Sequence, residues 1–132
     1  MLNAPYNNQY QGDYTRLLFV CTVGMLRSPT GAEIGIEMGY NCRSCGHDDV
    51  ALIPLSVNLI AWADHIIFVS KSDYILTMKK FESTGWGEDI EMKKILLSID
   101  DDYSFSDPIL RNIFRHTLKG LEDSGKIHKR RV

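Results

Sequence analysis

Apolar residues along the chain fall into two alternating rhythms. RLLFVC (Arg16–Cys21), DHIIFVS (64–70) and KKILLSI (93–99) are short continuous apolar runs, and YNCRSC (40–45) is a weaker one. Runs of this kind predict strands buried on both faces. Between them lie segments with apolar residues at helical spacing. SPTGAEIGIEMG (28–39) opens with Ser28 as a predicted N-cap and Pro29 at the first helical position, and Gly39 is placed to stop it. LSVNLIAWA (55–63) carries Leu55, Leu59 and Trp62; KSDYILTMKKF (71–81) carries Tyr74, Ile75, Met78 and Phe81. In DPILRNIFRHTLKGL (107–121), Asp107 caps, Pro108 opens, and Ile109, Leu110, Ile113, Phe114, Leu118 and Leu121 form the apolar face. Gly31, Gly35 and Gly39 recur at every fourth position, which lets the first helix lie close to a sheet.

Strand and helix alternate four times, which implies parallel βαβ units. Right-handed crossovers then give an α/β fold: a three-layer sandwich with a four-stranded parallel sheet and helices on both faces. Ligands of such sheets bind beyond the carboxyl ends of the strands. Cys21 ends the first strand, and the acidic run 100–102 follows the fourth.

The chain's 132 residues suit one core. Residues 1–14, rich in Asn, Gln and Tyr, lack apolar periodicity and read as a flexible extension, although Tyr6, Tyr10 and Tyr14 are able to pack. Residues 15–124 form the domain, and 125–132, GKIHKRRV, read as a basic solvated tail. A net charge of −2 with 24% charged residues supplies no global field for nucleic acid or an anionic membrane, so neither is expected as a partner. No apolar run approaches the ~20 residues of a membrane span, and the first residues lack the charged and apolar regions of a secretory signal. A cytoplasmic protein is expected, with its three cysteines reduced.

The chemistry concentrates after the first strand. A loop of successive backbone N–H groups entering a helix makes an anion cradle, here Thr22, Val23, Gly24, Met25, Leu26 and Arg27. Gly24 can supply the positive φ that turns amides inward. Cys21 sits at the base, where the same amides favour the thiolate. Arg27 can close the cradle with a bidentate grip on two phosphate oxygens, and Ser28 is near enough to hydrogen-bond the sulfur. A thiolate set against a phosphate suggests covalent phosphoryl transfer.

Cys21, Arg27, Ser28 and Pro29 form C-x5-R-S-P at a strand-to-helix junction. LLFVCTVGMLRSPTGAE resembles the phosphate loop of the low-molecular-weight protein tyrosine phosphatases. RSCG (43–46) is similar to that family's Ser-Ala-Gly element. AWADHIIFVS (61–70) resembles its third strand, and IDDDYSFSDPIL (99–110) the segment after its fourth, especially in a bacterial branch with an Asp-Asp-Tyr pattern. The resemblance runs over roughly residues 16–121. It implies a cysteine nucleophile at Cys21, an arginine clamp at Arg27, and a general acid on the loop after the fourth strand. In the family that acid is an Asp followed by Pro. Aligning the strand end makes Asp101 the acid, puts Asp102 in the proline's place, and makes Tyr103 a wall beside an aryl ring. Asp107 does precede a proline, but capping explains it fully; Asp102 and Asp107 stay open as alternatives. The implied substrates are a phosphotyrosine protein or a small aryl phosphate, with inorganic phosphate as product and no cofactor.

The chain departs from that pattern in places. Gly24 replaces an Asn that holds the family's loop through its side chain, so a more mobile loop is expected. Leu26 replaces a second Cys, so no intraloop disulfide can form. Cys42 and Cys45 make C-x-x-C with His47 nearby, but alternate strand faces would part the two thiols, and no metal is expected. His47 and His65 read as structural or exposed. An arsenate reductase would need cysteines beyond Cys45; a phosphocarrier domain with a phosphorylated cysteine would lack Arg27. A binding module that holds a phosphorylated partner without turnover is the alternative from another class.

Overall fold

The computed structural model describes residues 13–24, 27–100 and 103–131. In chain order they form β1 (Arg16–Cys21), α1 (Arg27–Glu37), β2 (Asn41–Gly46), α2 (Val57–Trp62), β3 (His65–Phe68), α3 (Lys71–Phe81), α4 (Gly87–Lys93), β4 (Lys94–Leu96) and α5 (Pro108–Asp123). The strands make one open, all-parallel sheet in the order β2-β1-β3-β4. The α/β sandwich expected from the apolar pattern is the fold observed. One element, α4, has no counterpart in that pattern. It spans 7 residues, lacks a side-chain cap at Trp86 and buries only Gly87 and Ile90, too few positions to make a helical stripe.

Alternate residues of β1 feed the two sides of the sheet, as strand geometry requires. Leu17 and Phe19 join Ile34, Leu110, Phe114 and Leu118 under α1 and α5. Leu18 and Val20 join Ile60, Ile66, Phe68 and Ile90 under α2, α3 and α4. The glycine spacing of α1 has the packing purpose expected of it. A β-carbon at Gly31 would lie 2.7 Å from the Phe19 ring and 2.8 Å from Phe114, and one at Gly35 would lie 2.5 Å from the Cys42 sulfur.

Three expectations need correction. On α3, Tyr74, Met78 and Phe81 pack against the core as expected, but Ile75 is 45% exposed, and the fully buried positions are Asp73 and Thr77, which apolar spacing alone cannot find. Ile109 of α5 is likewise exposed. The C-terminal segment keeps its charged side chains outside but is not a loose tail. Ile127 is 1% exposed within the α1–α5 core. Thr15 N–H donates to the Lys129 carbonyl at 2.8 Å, and Tyr14 and Arg130 form an antiparallel bridge. One apolar side chain and a few backbone hydrogen bonds fix a segment whose composition looks solvated.

The chain leaves β1 for β2 on one side and returns across β1 to β3 on the other. The crevice beyond the carboxyl ends of β1 and β3 is therefore the topological switch point of the sheet. Cys21 ends one of these strands. Ser70 and Asp73 follow the other and begin α3.

Candidate active site

Cys21 lies at the base of the loop between β1 and α1, 3% exposed. The Gly24 backbone N–H donates to its sulfur at 3.1 Å, and the Ser28 hydroxyl lies 3.0 Å from it. Gly24 has φ +74°, the left-handed conformation anticipated for it. It also has no space for a side chain: a β-carbon would stand 2.9 Å from the backbone carbon of Cys45. Gly46 is the matching position on β2, where a β-carbon would meet backbone atoms of Val23 at 2.5 Å. The loop thus rests directly on the end of β2, tied there by His47 N–H to the Cys21 carbonyl (3.1 Å) and Asp48 N–H to the Thr22 carbonyl (2.9 Å).

Arg27 is the first residue of α1, so Ser28 and Pro29 lie inside the first turn rather than ahead of it. The cap expected of Ser28 is replaced by another arrangement. Its hydroxyl faces both the Cys21 sulfur and, at 3.3 Å, the Cys45 carbonyl. A hydroxyl has one proton to give. Facing a thiolate it donates to sulfur; facing a thiol it can receive S–H and donate to the carbonyl instead. Pro29 is still tolerated, because first-turn N–H groups have no helical acceptor.

Among the described residues the Arg27 guanidinium meets two partners. Nη1 donates to the Ile99 carbonyl at 2.8 Å, and Nη2 lies 3.7 Å from the Asp73 carboxylate. Ile99 immediately precedes the acidic run, so the start of that run is held against the arginine. Asp101 and Asp102 lie outside the described residues, as do Met25 and Leu26 of the loop. Asp100 is exposed. Tyr103 is partly buried against the α1–α5 core. Asp107 caps α5, its Oδ1 accepting from Ile109 N–H at 2.8 Å.

The residues that the sequence did not single out for this site are Asp73 and His47. Asp73 is 1% exposed and His47 6%. Asp73 Oδ1 accepts from the Thr22 hydroxyl (3.0 Å) and pairs with His47 Nε2 (2.8 Å), while Oδ2 accepts from the Ser70 hydroxyl (2.7 Å). Burial pushes the Asp73 carboxyl upward. The hydrogen bonds from His47, Ser70 and Thr22, with the charge of Arg27, outweigh it and hold the group below the usual carboxylate range. Thr22 therefore gets through Asp73 the kind of side-chain tie that an Asn at position 24 would have given. Ser70-x-x-Asp73 matches a helix-start pattern; the Ser70 hydroxyl does accept from Asp73 N–H, and that capping use hides the second use of the carboxylate.

Cys42 and Cys45 point to opposite sides of β2, one into each core cluster, as alternation requires. None of the three cysteines forms a disulfide. Among the described residues no group of His, Cys, Asp and Glu is arranged to hold a metal, and no helix is long and apolar enough to cross a membrane.

No protein-family model and no curated protein sequence matches the chain. Solved structures do. Wzb of Vibrio vulnificus, in complex with benzylphosphonate, superposes with TM-score 0.64 at 15% identity, covering 84% of this chain and 99% of that one. A low-molecular-weight phosphotyrosine phosphatase of Vibrio cholerae gives 0.61 at 17%, covering 85% and 97%. A cysteine-to-serine mutant of the YwlE arginine phosphatase, with a phosphorylated active-site serine, gives 0.59 at 16%, covering 82% and 96%. The chain thus has the fold of these low-molecular-weight phosphatases over nearly their whole length.

Proposed function

We propose that the protein is a phosphomonoesterase of the low-molecular-weight protein tyrosine phosphatase kind, acting on phosphotyrosine or a small aryl phosphate through a phosphocysteine. The observation that carries this reading is the sulfur of Cys21, placed at the sheet's switch point, 3.1 Å from the Gly24 amide and 3.0 Å from the Ser28 hydroxyl, with Arg27 opening the next helix. The fold shared with a benzylphosphonate complex and with a phosphorylated serine mutant supports it.

The substrate phosphoryl group binds in the cradle of Thr22, Val23, Gly24, Met25, Leu26, Arg27 and Ser28. Cys21 thiolate attacks phosphorus; the S–P bond forms as the P–O bond to the aryl group breaks. Asp101 gives its proton to the leaving oxygen, and Tyr103 flanks the ring. Water then attacks phosphorus, the S–P bond breaks, and Asp101 takes the water's proton, which frees inorganic phosphate and regenerates the thiolate. Arg27 and the loop amides stabilise the equatorial oxygens in both steps. Each step uses the protein's own side chains in a reducing cytoplasmic setting.

The test is release of phenol from phenyl phosphate by the full chain, with phosphotyrosine and phosphoarginine peptides alongside. Turnover that vanishes in Cys21→Ser supports the reading. Tight binding of inorganic phosphate without turnover would identify a binding module instead.

A further inference from the structure

The Asp73 carboxylate is out of place for an anion site. It is buried, charged and 3.7 Å from the guanidinium that would grip phosphate. Burying a carboxylate is costly unless it is fully partnered, and its charge opposes an incoming phosphate. Its oxygens are nonetheless partnered by Thr22, His47 and Ser70. Two of the groups it touches, Thr22 and Arg27, lie at the two ends of the cradle, one just after β1 and the other at the start of α1.

We infer that Asp73 is a positioning residue for phosphoryl transfer, holding Thr22 by a hydrogen bond and Arg27 by charge, with His47 fixing the carboxylate from behind. The inference rests on the phosphatase reading above. At 3.7 Å the contact with Arg27 is an ion pair rather than a hydrogen bond. The guanidinium carries five N–H groups. One goes to the Ile99 carbonyl, which leaves enough for a bidentate grip on phosphate. The ion pair therefore aims the guanidinium without consuming its donors. His47 must present Nε2–H to the charged oxygen, and its own backbone N–H binds the Cys21 carbonyl. Carboxylate, imidazole and loop are thus braced against one another. His47 Nε2, the Ser70 and Thr22 hydroxyls and Arg27 face the Asp73 carboxylate; Lys80, further out on α3, binds the His47 carbonyl instead.

The experiment measures steady-state turnover of phenyl phosphate and calorimetric binding of inorganic phosphate for the full chain and for Asp73→Asn, Thr22→Val and the double variant. Leu118→Ala, a core truncation in α5, serves as the stability control. Asp73→Asn keeps the size and removes the charge. Its kcat should fall about 30- to 100-fold, as expected for a misaimed transition-state donor. Phosphate affinity should hold or rise, because an opposing charge has gone. Thr22→Val removes only the hydrogen-bonded arm and should lose less, and the double variant should lose less than the product of the two single losses, since Thr22 acts through Asp73. A merely structural role gives the opposite pattern, with kcat and phosphate binding declining together in step with stability, as in Leu118→Ala. That pattern, or an Asp73→Asn kcat within about twofold of the unmodified chain, overturns the proposal and leaves the phosphatase reading intact. An unmodified chain without turnover removes the phosphatase reading, and this proposal with it.

Discussion

A β-carbon at Gly24 would press on the backbone of Cys45, and the residue's φ is +74°. Alanine there meets both penalties at once, the left-handed conformation and the contact with a backbone that cannot rotate away. Gly24→Ala should lose on the order of 2 kcal/mol, seen in chemical denaturation, and turnover should fall with it as the amide leaves the sulfur. Unchanged stability would mean that the loop does not rest on β2. The three thiols differ in kind. Burial pushes the Cys42 and Cys45 thiols well above the ordinary range, and for Cys45 the neighbouring Cys21 adds to the rise. In the folded protein at neutral pH, iodoacetamide should modify Cys21 alone, with Cys42 and Cys45 reacting only after denaturation; peptide mass spectrometry reads this directly. Carbamidomethyl on Cys42 or Cys45 of folded protein would contradict the packing. Cys21 and Arg27 were legible because spacing and a strand-to-helix junction announce them. Asp73 and His47 were not, because their meaning lies in contacts across 51 and 26 residues of chain, Thr22 to Asp73 and Asp73 to His47.

The segment between β4 and α5 shows how elements position chemistry that no single residue defines. At its start, Ile99 N–H binds the Val69 carbonyl and the Ile99 carbonyl accepts from Arg27. At its end, Ser106 N–H donates to the Thr30 hydroxyl at 2.8 Å, and the Ser106 hydroxyl to Glu33 at 2.9 Å. Ile99 is thereby tied to the sheet and to Arg27, and Ser106 to α1. Thr30→Val leaves the Ser106 amide without its acceptor, which should cost about 1–3 kcal/mol and slow turnover by loosening the loop; an unaltered kcat would show that the far anchor is irrelevant to the acid. The same segment separates the candidate acids. Asp107→Ala should lose about 1 kcal/mol through the helix cap and keep its activity, whereas Asp101→Asn should lose roughly 100-fold in kcat together with the limb of the pH profile that reports the acid. The reverse result would move the role to Asp107. Helices with a long apolar stripe and a capping residue, such as α5, were legible in the sequence. The short α4 and the polar-centred face of α3 were not, because apolar periodicity carries no information about a helix that buries two residues or one that buries an aspartate.

At the scale of the molecule, the order of strands and helices was enough to point to the candidate site, since the rule that ligands gather at the switch point needs only topology. How the ends close was hidden: Ile127 enters the core from a segment dominated by charge. The buried ionisable groups now set how stability responds to pH. Asp73 is held below its ordinary range, so its contribution is present above the unfolded carboxyl value of about 3.9 and is lost as pH falls through the lower folded value. At the alkaline end the sign reverses. Cys42 and Cys45 are raised by burial, and Tyr40 is raised by burial and by its hydrogen bond to Glu122. These groups keep their protons in the folded state where the unfolded chain releases them, from about pH 8.5 for thiols and about 10 for tyrosine. The unfolded state then binds fewer protons, so stability must decline as pH rises, by up to about 1.4 kcal/mol per pH unit for each group. Urea unfolding followed from pH 7.5 to 10 should show a decline that begins near pH 8.5 and steepens above 9. Cys42→Ala and Cys45→Ala should each reduce the slope while lowering stability at neutral pH. A stability that stays level to pH 10 would mean that water reaches these thiols, and the two cores drawn on either side of β2 would then be wrong.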